Sequence, residues 1–147
     1  MFYFILIAGI FLTEWKIKNY IEKNKEMHKK EEILGGNIVI ERYHNKGAML
    51  NFLENDVKVV KTISCTLLGV ALLMFLLLLP KKGDKLLKLA MALILGGALS
   101  NVADRFTRGY VVDYFSFKFL KKIVFNISDI CIFIGSGLVV IRSLFKK

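Results

Sequence analysis

The sequence predicts an all-α integral membrane protein: a four-transmembrane-helix bundle with a small β-forming segment outside the bilayer. Three observations predict it. The chain of 147 residues is 55% hydrophobic, with a mean hydropathy of +0.52, richer in apolar residues than a usual soluble domain. The apolar residues come in blocks. Residues 62–79 and 89–103 carry no charge, and 123–141 carry one, Asp129. A hydrocarbon core needs about 20 mostly apolar residues per helix. Finally, too little amphipathic sequence remains to cover three such blocks as the core of a soluble protein, so lipid must cover them.

The elements follow in order. Helix 1 is expected over about 2–20. Residues 1–13 are uncharged, and the apolar pattern continues through Trp15, Ile17 and Tyr20 although Glu14 and Lys16 intrude. No basic start and no small-x-small pattern precede Glu14, so a retained helix is expected rather than a cleaved leader. Residues 22–32 are rich in Lys and Glu and read as a flexible loop or short helix. Then Gly36-Asn37 precedes Ile38-Val39-Ile40, followed by alternating Glu41-Arg42-Tyr43, which suggests a strand. The β-containing outer segment is placed at about 35–56. Helix 2 is expected over about 58–79, ending at Pro80, the only proline. A basic turn, Lys81-Lys82-Gly83-Asp84-Lys85, leads to helix 3 over about 86–105. A mixed segment, 106–122, precedes helix 4 over about 123–143. No internal repeat is present, and residues 1–147 read as a single membrane domain.

The net charge of +10 would suggest nucleic acid in a soluble protein. Beside membrane spans, basic residues meet anionic head groups instead, so lipids and not nucleic acid are the expected contacts. Cys65 and Cys131 lie inside apolar blocks without C-x-x-C spacing and read as buried packing residues. His28 and His44 lie in the polar segment without ligand spacing and read as solvated. No metal site is expected, since zinc needs three or four convergent ligands. Four spans place both termini and the basic turn on one side, with seven of the 22 Lys and Arg. A raw positive-inside count therefore favours the loop-bearing side as cytoplasmic.

Ionisable groups inside a span are expensive and point to function. Gly97, Asn101, Asp104, Arg105 and Arg108 share one face of helix 3, and Asn126 and Asp129 share a face of helix 4. A short connection joins the two helices, so both faces fall at one membrane end. Asp113 sits in that connection and can lie opposite Asp129. Two carboxylates held close in a poorly solvated place share one proton. That is the state aspartic proteolysis needs, one group polarising the scissile carbonyl and the other activating water. No cofactor is required, and the sequence offers no serine or cysteine nucleophile motif and no H-E-x-x-H. On spacing alone, two other readings stand beside it: an ion path through Asp129, and charge pairs that only hold the bundle together.

The run Asn101-x-x-Asp104-Arg105-x-x-x-Gly109-x-Val111-Val112-Asp113-Tyr114, followed by Phe125-Asn126-x-x-Asp129, closely resembles the two C-terminal blocks of lipoprotein signal peptidases. Glu14-x-x-x-Lys18 resembles the Asp-x-x-x-Lys that ends the family's first helix. Asn45-Lys46-Gly47-Ala48 resembles its Asn-Thr-Gly-Ala-Ala-Phe-Ser block. The resemblance covers nearly the whole chain. It implies Asp113 and Asp129 as catalytic aspartates, with Asn45, Gly47, Asn101, Asp104, Arg105 and Asn126 lining the site and holding substrate. Glu14 and Lys18 would form a structural ion pair, and the segment around 37–43 would form an extracytoplasmic β-cradle. The substrate implied is a diacylglyceryl-modified prolipoprotein, cut just before its lipidated cysteine. The enzyme implied is a monomer of the bacterial plasma membrane, inhibited by globomycin-like peptides. Its active site would lie near the extracytoplasmic face with both termini cytoplasmic, opposite to the raw lysine count. Four departures stand out. Glu14 replaces an aspartate, Lys46 a threonine, Met49-Leu50-Asn51 the usual Ala-Phe-Ser, and Ser128 a small apolar residue. The stretch 114–128 is also short. These departures keep a second reading open, a non-catalytic lipopeptide-binding paralogue of the same fold.

Overall fold

The structure, a computed structural model, describes residues 1–47, 55–120 and 123–145. The Met49-Leu50-Asn51 departure therefore lies outside the described residues. Four helices carry the chain: α1 (Phe2–Asn24), α2 (Val57–Leu78), α3 (Lys85–Thr107) and α4 (Ile127–Leu144). Three strands, β1 (Glu31–Ile33), β2 (Ile38–Asn45) and β3 (Val111–Phe117), form one antiparallel sheet in the order β1-β2-β3. The helices α2, α3 and α4 are long and apolar enough to cross a membrane, with mean hydropathies of 2.1, 1.8 and 1.8. α1 packs along α3 and leaves Phe4, Ile5 and Leu12 exposed. Exposed apolar side chains on every helix, such as Leu73, Leu99 and Ile134, form the lipid-facing surface that hydrophobicity alone would bury in water.

α3 is the central helix. Glycines let it approach its neighbour closely: a Cβ on Gly135 of α4 would lie 2.7 Å from the Ala90 carbonyl oxygen, and one on Gly97 would collide with the Ser128 carbonyl. Small residues at such crossings are the usual way membrane helices gain contact. One apolar core, Phe75, Leu78, Met91, Ala92 and Leu95, fills the end of the bundle near the basic turn. That turn is tied down by Lys88, whose Nζ donates to the Leu79 and Lys81 carbonyls at 2.9 and 2.5 Å. Arg142 of α4 holds Asp84 in the same turn. A second core, Ile21, Val112 and Tyr114, lies where α1 meets the sheet at the other end.

The elements differ from the sequence expectation at four places. α1 continues to Asn24 because Ile21 packs under the sheet. α4 begins at Ile127, not near 123, because Phe125 bridges Phe115 as an extended residue and Asn126 caps the helix. The mixed connection contains β3, and the Lys/Glu-rich segment contains β1. Of the two histidines, His44 is half-buried, with its Nε2 2.6 Å from Glu22 Oε1 and its ring stacked on Tyr110. Both cysteines are free and half-buried, not enclosed in a core.

Candidate active site

Gly97 sets the site. Its missing side chain lets the first turn of α4 touch α3, so Asn101, one turn further, reaches across. Asn101 Nδ2 donates to Asp129 Oδ1 at 2.8 Å. Asp129 is also fixed by the start of its own helix. Asn126 Oδ1 accepts from the Asp129 N–H at 2.9 Å, and Asp129 Oδ2 accepts from the Asn126 N–H at 3.2 Å. This reciprocal capping box satisfies two orphan donors. The Asn126 amide then links the two carboxylates, donating to Asp113 Oδ1 at 2.7 Å and to Asn101 Oδ1 at 3.2 Å.

Asp113 arrives from β3. In the β2–β3 pairing, Tyr43 faces Asp113 and Asn45 faces Val111, so Asn45 and Asp113 are diagonal neighbours on one side of the sheet. Asn45 Nδ2 donates to Asp113 Oδ2 at 3.0 Å, while its Oδ1 accepts from the Gly47 N–H at 3.1 Å. Burial raises the Asp113 carboxyl to about 8. The charge of Asp129 adds to the rise, and hydrogen bonds from Asn45 and Asn126 oppose it. The Asp113 carboxyl is therefore largely protonated at neutral pH.

Both aspartates open onto a cavity of about 380 Å³. Asn45, Asn101 and Arg105 complete its polar wall, and Leu67, Ile123, Val124, Phe125, Ile132 and Phe133 form an apolar one. Arg105 is braced by the Gly47 carbonyl at 3.0 Å and the Asn101 carbonyl at 3.3 Å. Its buried Nε has no hydrogen-bond partner among the described residues. A polar-and-apolar cavity of this kind suits an extended peptide carrying a hydrophobic group.

Behind this wall lies a hub of charge that water does not reach. Lys18 is 1% exposed, and Glu14 and Asp104 are 0% exposed. The Lys18 Nζ meets Ser100 Oγ at 3.0 Å, Asn101 Oδ1 at 2.9 Å, Asp104 Oδ2 at 3.0 Å and Glu14 Oε2 at 3.3 Å. Asp104 also accepts from the Val112 N–H at 3.2 Å and faces Arg108 Nε at 3.0 Å. Glu14 accepts from the Tyr114 hydroxyl at 2.5 Å and the Ser128 hydroxyl at 3.0 Å. Burial, with Glu14 beside it, pushes the Tyr114 phenol well up, so it remains a donor.

Of the residues singled out from the sequence, the fold gathers Asn45, Asn101, Arg105, Asp113 and Asp129 around the cavity. Asn126 lies directly behind them and Gly47 braces two of them. Asp104 does not line the cavity; it faces Lys18 and Arg108. The hub members Ser100, Tyr114 and Ser128 had no role assigned from sequence. The one available signal was Ser128 itself, a hydroxyl at a position where the resemblance leads one to expect a small apolar residue.

This geometry can be set beside known proteins. The family profile described as Signal peptidase (SPase) II matches residues 6–145. The chain belongs to the signal peptidase II family. With that family it is a membrane protease, and a multi-pass bacterial membrane protein. The lipoprotein signal peptidase of Symbiobacterium thermophilum is 31% identical over 129 residues, 86% of this chain and 81% of that protein. Two solved bacterial membrane enzymes share the fold. One superposes with a TM-score of 0.84 at 23% identity, covering 97% of this chain and 87% of its own. The other gives 0.82 at 22% identity, covering 99% and 94%.

Proposed function

We propose that Asp113 and Asp129 are the catalytic dyad of this signal peptidase II, and that it removes signal peptides from diacylglyceryl-modified prolipoproteins. The observation that carries this reading is the Asn126 side-chain amide and backbone N–H, which join one carboxyl to the other at the wall of the cavity. Asp113 enters as the acid, in keeping with its raised titration. Asp129 enters as the carboxylate, with two N–H donors to hold its charge. Asp129 takes a proton from water as the oxygen attacks the scissile carbonyl carbon, and Asp113 gives its proton to the carbonyl oxygen. The tetrahedral gem-diol then collapses as one of its hydroxyls returns a proton to Asp113 and the carbonyl re-forms. The C–N bond breaks, and the proton held by Asp129 passes to the leaving amine of the lipidated cysteine.

Asn45 and Arg105 hold the substrate backbone, both lying in the polar wall of the cavity. The apolar wall receives the diacylglyceryl group, and a globomycin-like peptide would compete for the same cavity. The sheet and the site end lie on the extracytoplasmic side, which puts the basic 81–88 turn in the cytoplasm. The enzyme acts as a monomer, since one chain supplies every group of the site.

A cleavage assay with a diacylglyceryl-modified prolipoprotein tests the assignment. Asp113→Asn and Asp129→Asn should each lose at least about a thousandfold in turnover, about 4 kcal/mol in barrier, while inserting normally. Turnover retained in either variant would refute the dyad.

A further inference from the structure

The hub contains a relation that neither the family nor the dyad explains. Tyr114 is the chain neighbour of Asp113, and Ser128 is the chain neighbour of Asp129. Their hydroxyls donate to the two oxygens of a single carboxylate, Glu14, at 2.5 and 3.0 Å. The three residues come from three elements, β3, α4 and α1. The Tyr114 oxygen also accepts the Ile127 N–H at 3.2 Å, so the same phenol holds the first residue of α4. All of this is enclosed: Glu14 and Ser128 are 0% exposed and Tyr114 is 5% exposed.

We propose that Glu14 is a positioning residue for the dyad, fixing the separation of Asp113 and Asp129 by holding Tyr114 and Ser128 on one buried carboxylate. The inference rests on the dyad reading. Asp113 sits on β3 and Asp129 on α4. The backbone joins these elements at Phe125, whose carbonyl accepts from the Tyr114 N–H at 2.9 Å and whose N–H donates to the Phe115 carbonyl at 2.7 Å. The carboxyls themselves, however, are set by side-chain contacts, and two carboxyls share a proton usefully only at a fixed spacing. The asparagines link the dyad from the cavity side. Glu14 links it from behind, through the backbone on either side. Two departures noted in the sequence also meet here. The longer acid at position 14 and the hydroxyl at position 128 are hydrogen-bonded to each other, so they form one feature of this chain. Lys18 Nζ lies 3.3 Å from Glu14 Oε2, so both hydroxyl donors meet an acceptor that is itself part of an ion pair, and hydrogen bonds to such an acceptor are stronger than neutral ones.

The test uses the full chain in phospholipid vesicles, a diacylglyceryl-modified prolipoprotein, and four variants: Ser128→Ala, Tyr114→Phe, the double variant, and Glu14→Asp. Each hydroxyl variant should lower kcat by about 5- to 50-fold with KM within about twofold, because the cavity wall is untouched. The pH profile of kcat should move with it. The double variant should cost less than the product of the singles, since both hydroxyls share one carboxylate. If both single variants keep kcat and its pH profile and only melt earlier, the hub is merely structural and the proposal falls. If Glu14→Asp fails to fold, the hydroxyl variants carry the test. A wild type that does not cleave, or an Asp113→Asn variant that does, sinks the dyad reading instead. In that case carbon-13 titration of the Asp113 carboxyl decides the clamp. A midpoint displaced by about one pH unit in Ser128→Ala or Tyr114→Phe supports it, and an unmoved midpoint overturns it.

Discussion

α1 and α2 have nearly the same length, 23 and 22 residues, and take opposite parts in the bundle. α2 carries no charge after Lys61, buries only Val60, Phe75 and Leu78, and turns Leu72, Leu73, Leu76 and Leu77 outward. α1 buries Glu14, Lys18 and Ile21. In water the polar residues would face out and the leucines in. In lipid an apolar side chain gains little by moving from acyl chains to protein, so packing and polar contacts decide which helix faces meet. The information that assembles this bundle therefore sits largely in α1, α3 and the start of α4, and α2 serves mainly as a wall that adds Leu67 to the cavity.

Breaking the polar side of this comparison should have the largest effect. Lys18→Ala leaves Glu14 and Asp104 facing each other's neighbourhood without the shared cation. Removing one partner of a buried ion network costs about 3–5 kcal/mol, enough to abolish accumulation of folded protein. Thermal unfolding in detergent and the yield of folded protein would show it, and a variant melting within a few degrees of wild type would contradict the hub as the organiser of the fold.

A smaller effect is expected from pH. Asp113 titrates near 8 in the fold against 3.8 when unfolded. Between those values the folded protein holds a proton that the unfolded chain has released, so the slope of stability with pH is negative. Stability should fall as pH rises from about 4 to about 8, then level off. Melting curves of Asp113→Asn should lack that fall, and an identical slope in the variant would assign it to another group. The smallest effect belongs to α2. Leu73→Ala, on the lipid face, should change stability by less than about 0.5 kcal/mol and leave cleavage unaltered. A large loss there would show a packing partner for α2 beyond the bundle.

These contrasts also mark what a reader of the sequence can and cannot see. The spans are legible because lipid imposes length and absence of charge, both of which are local. The aspartates and asparagines are legible because polar groups in such surroundings stand out. β3 is not, because Val111, Val112, Asp113 and Tyr114 are all buried and so lack the polar alternation that marks a half-exposed strand. β1 is three exposed residues, Glu31, Glu32 and Ile33, that pair with β2, and its composition reads as solvated loop. The Glu14 contacts to Tyr114 and Ser128 span 100 and 114 positions, and nothing local announces them. In the sequence Ser128 is merely unusual; the fold sets it beside Glu14.

The buried charges share one further property. Glu14 has its cation at Lys18, one turn on in α1, and Asp104 has Arg108, the residue one turn on that caps the end of α3. Each pair is complete within its own helix, before any tertiary contact exists. A helix leaving the ribosome for the bilayer can thus bring its carboxylate in as a near-neutral couple, at far lower cost than a lone charge. Biogenesis and assembly are separated in this way: insertion needs only the local partner, and the long-range donors arrive when the helices meet. Moving either base to another helix would preserve composition and net charge, yet it would burden the chain at its first encounter with the membrane, well before the active site forms.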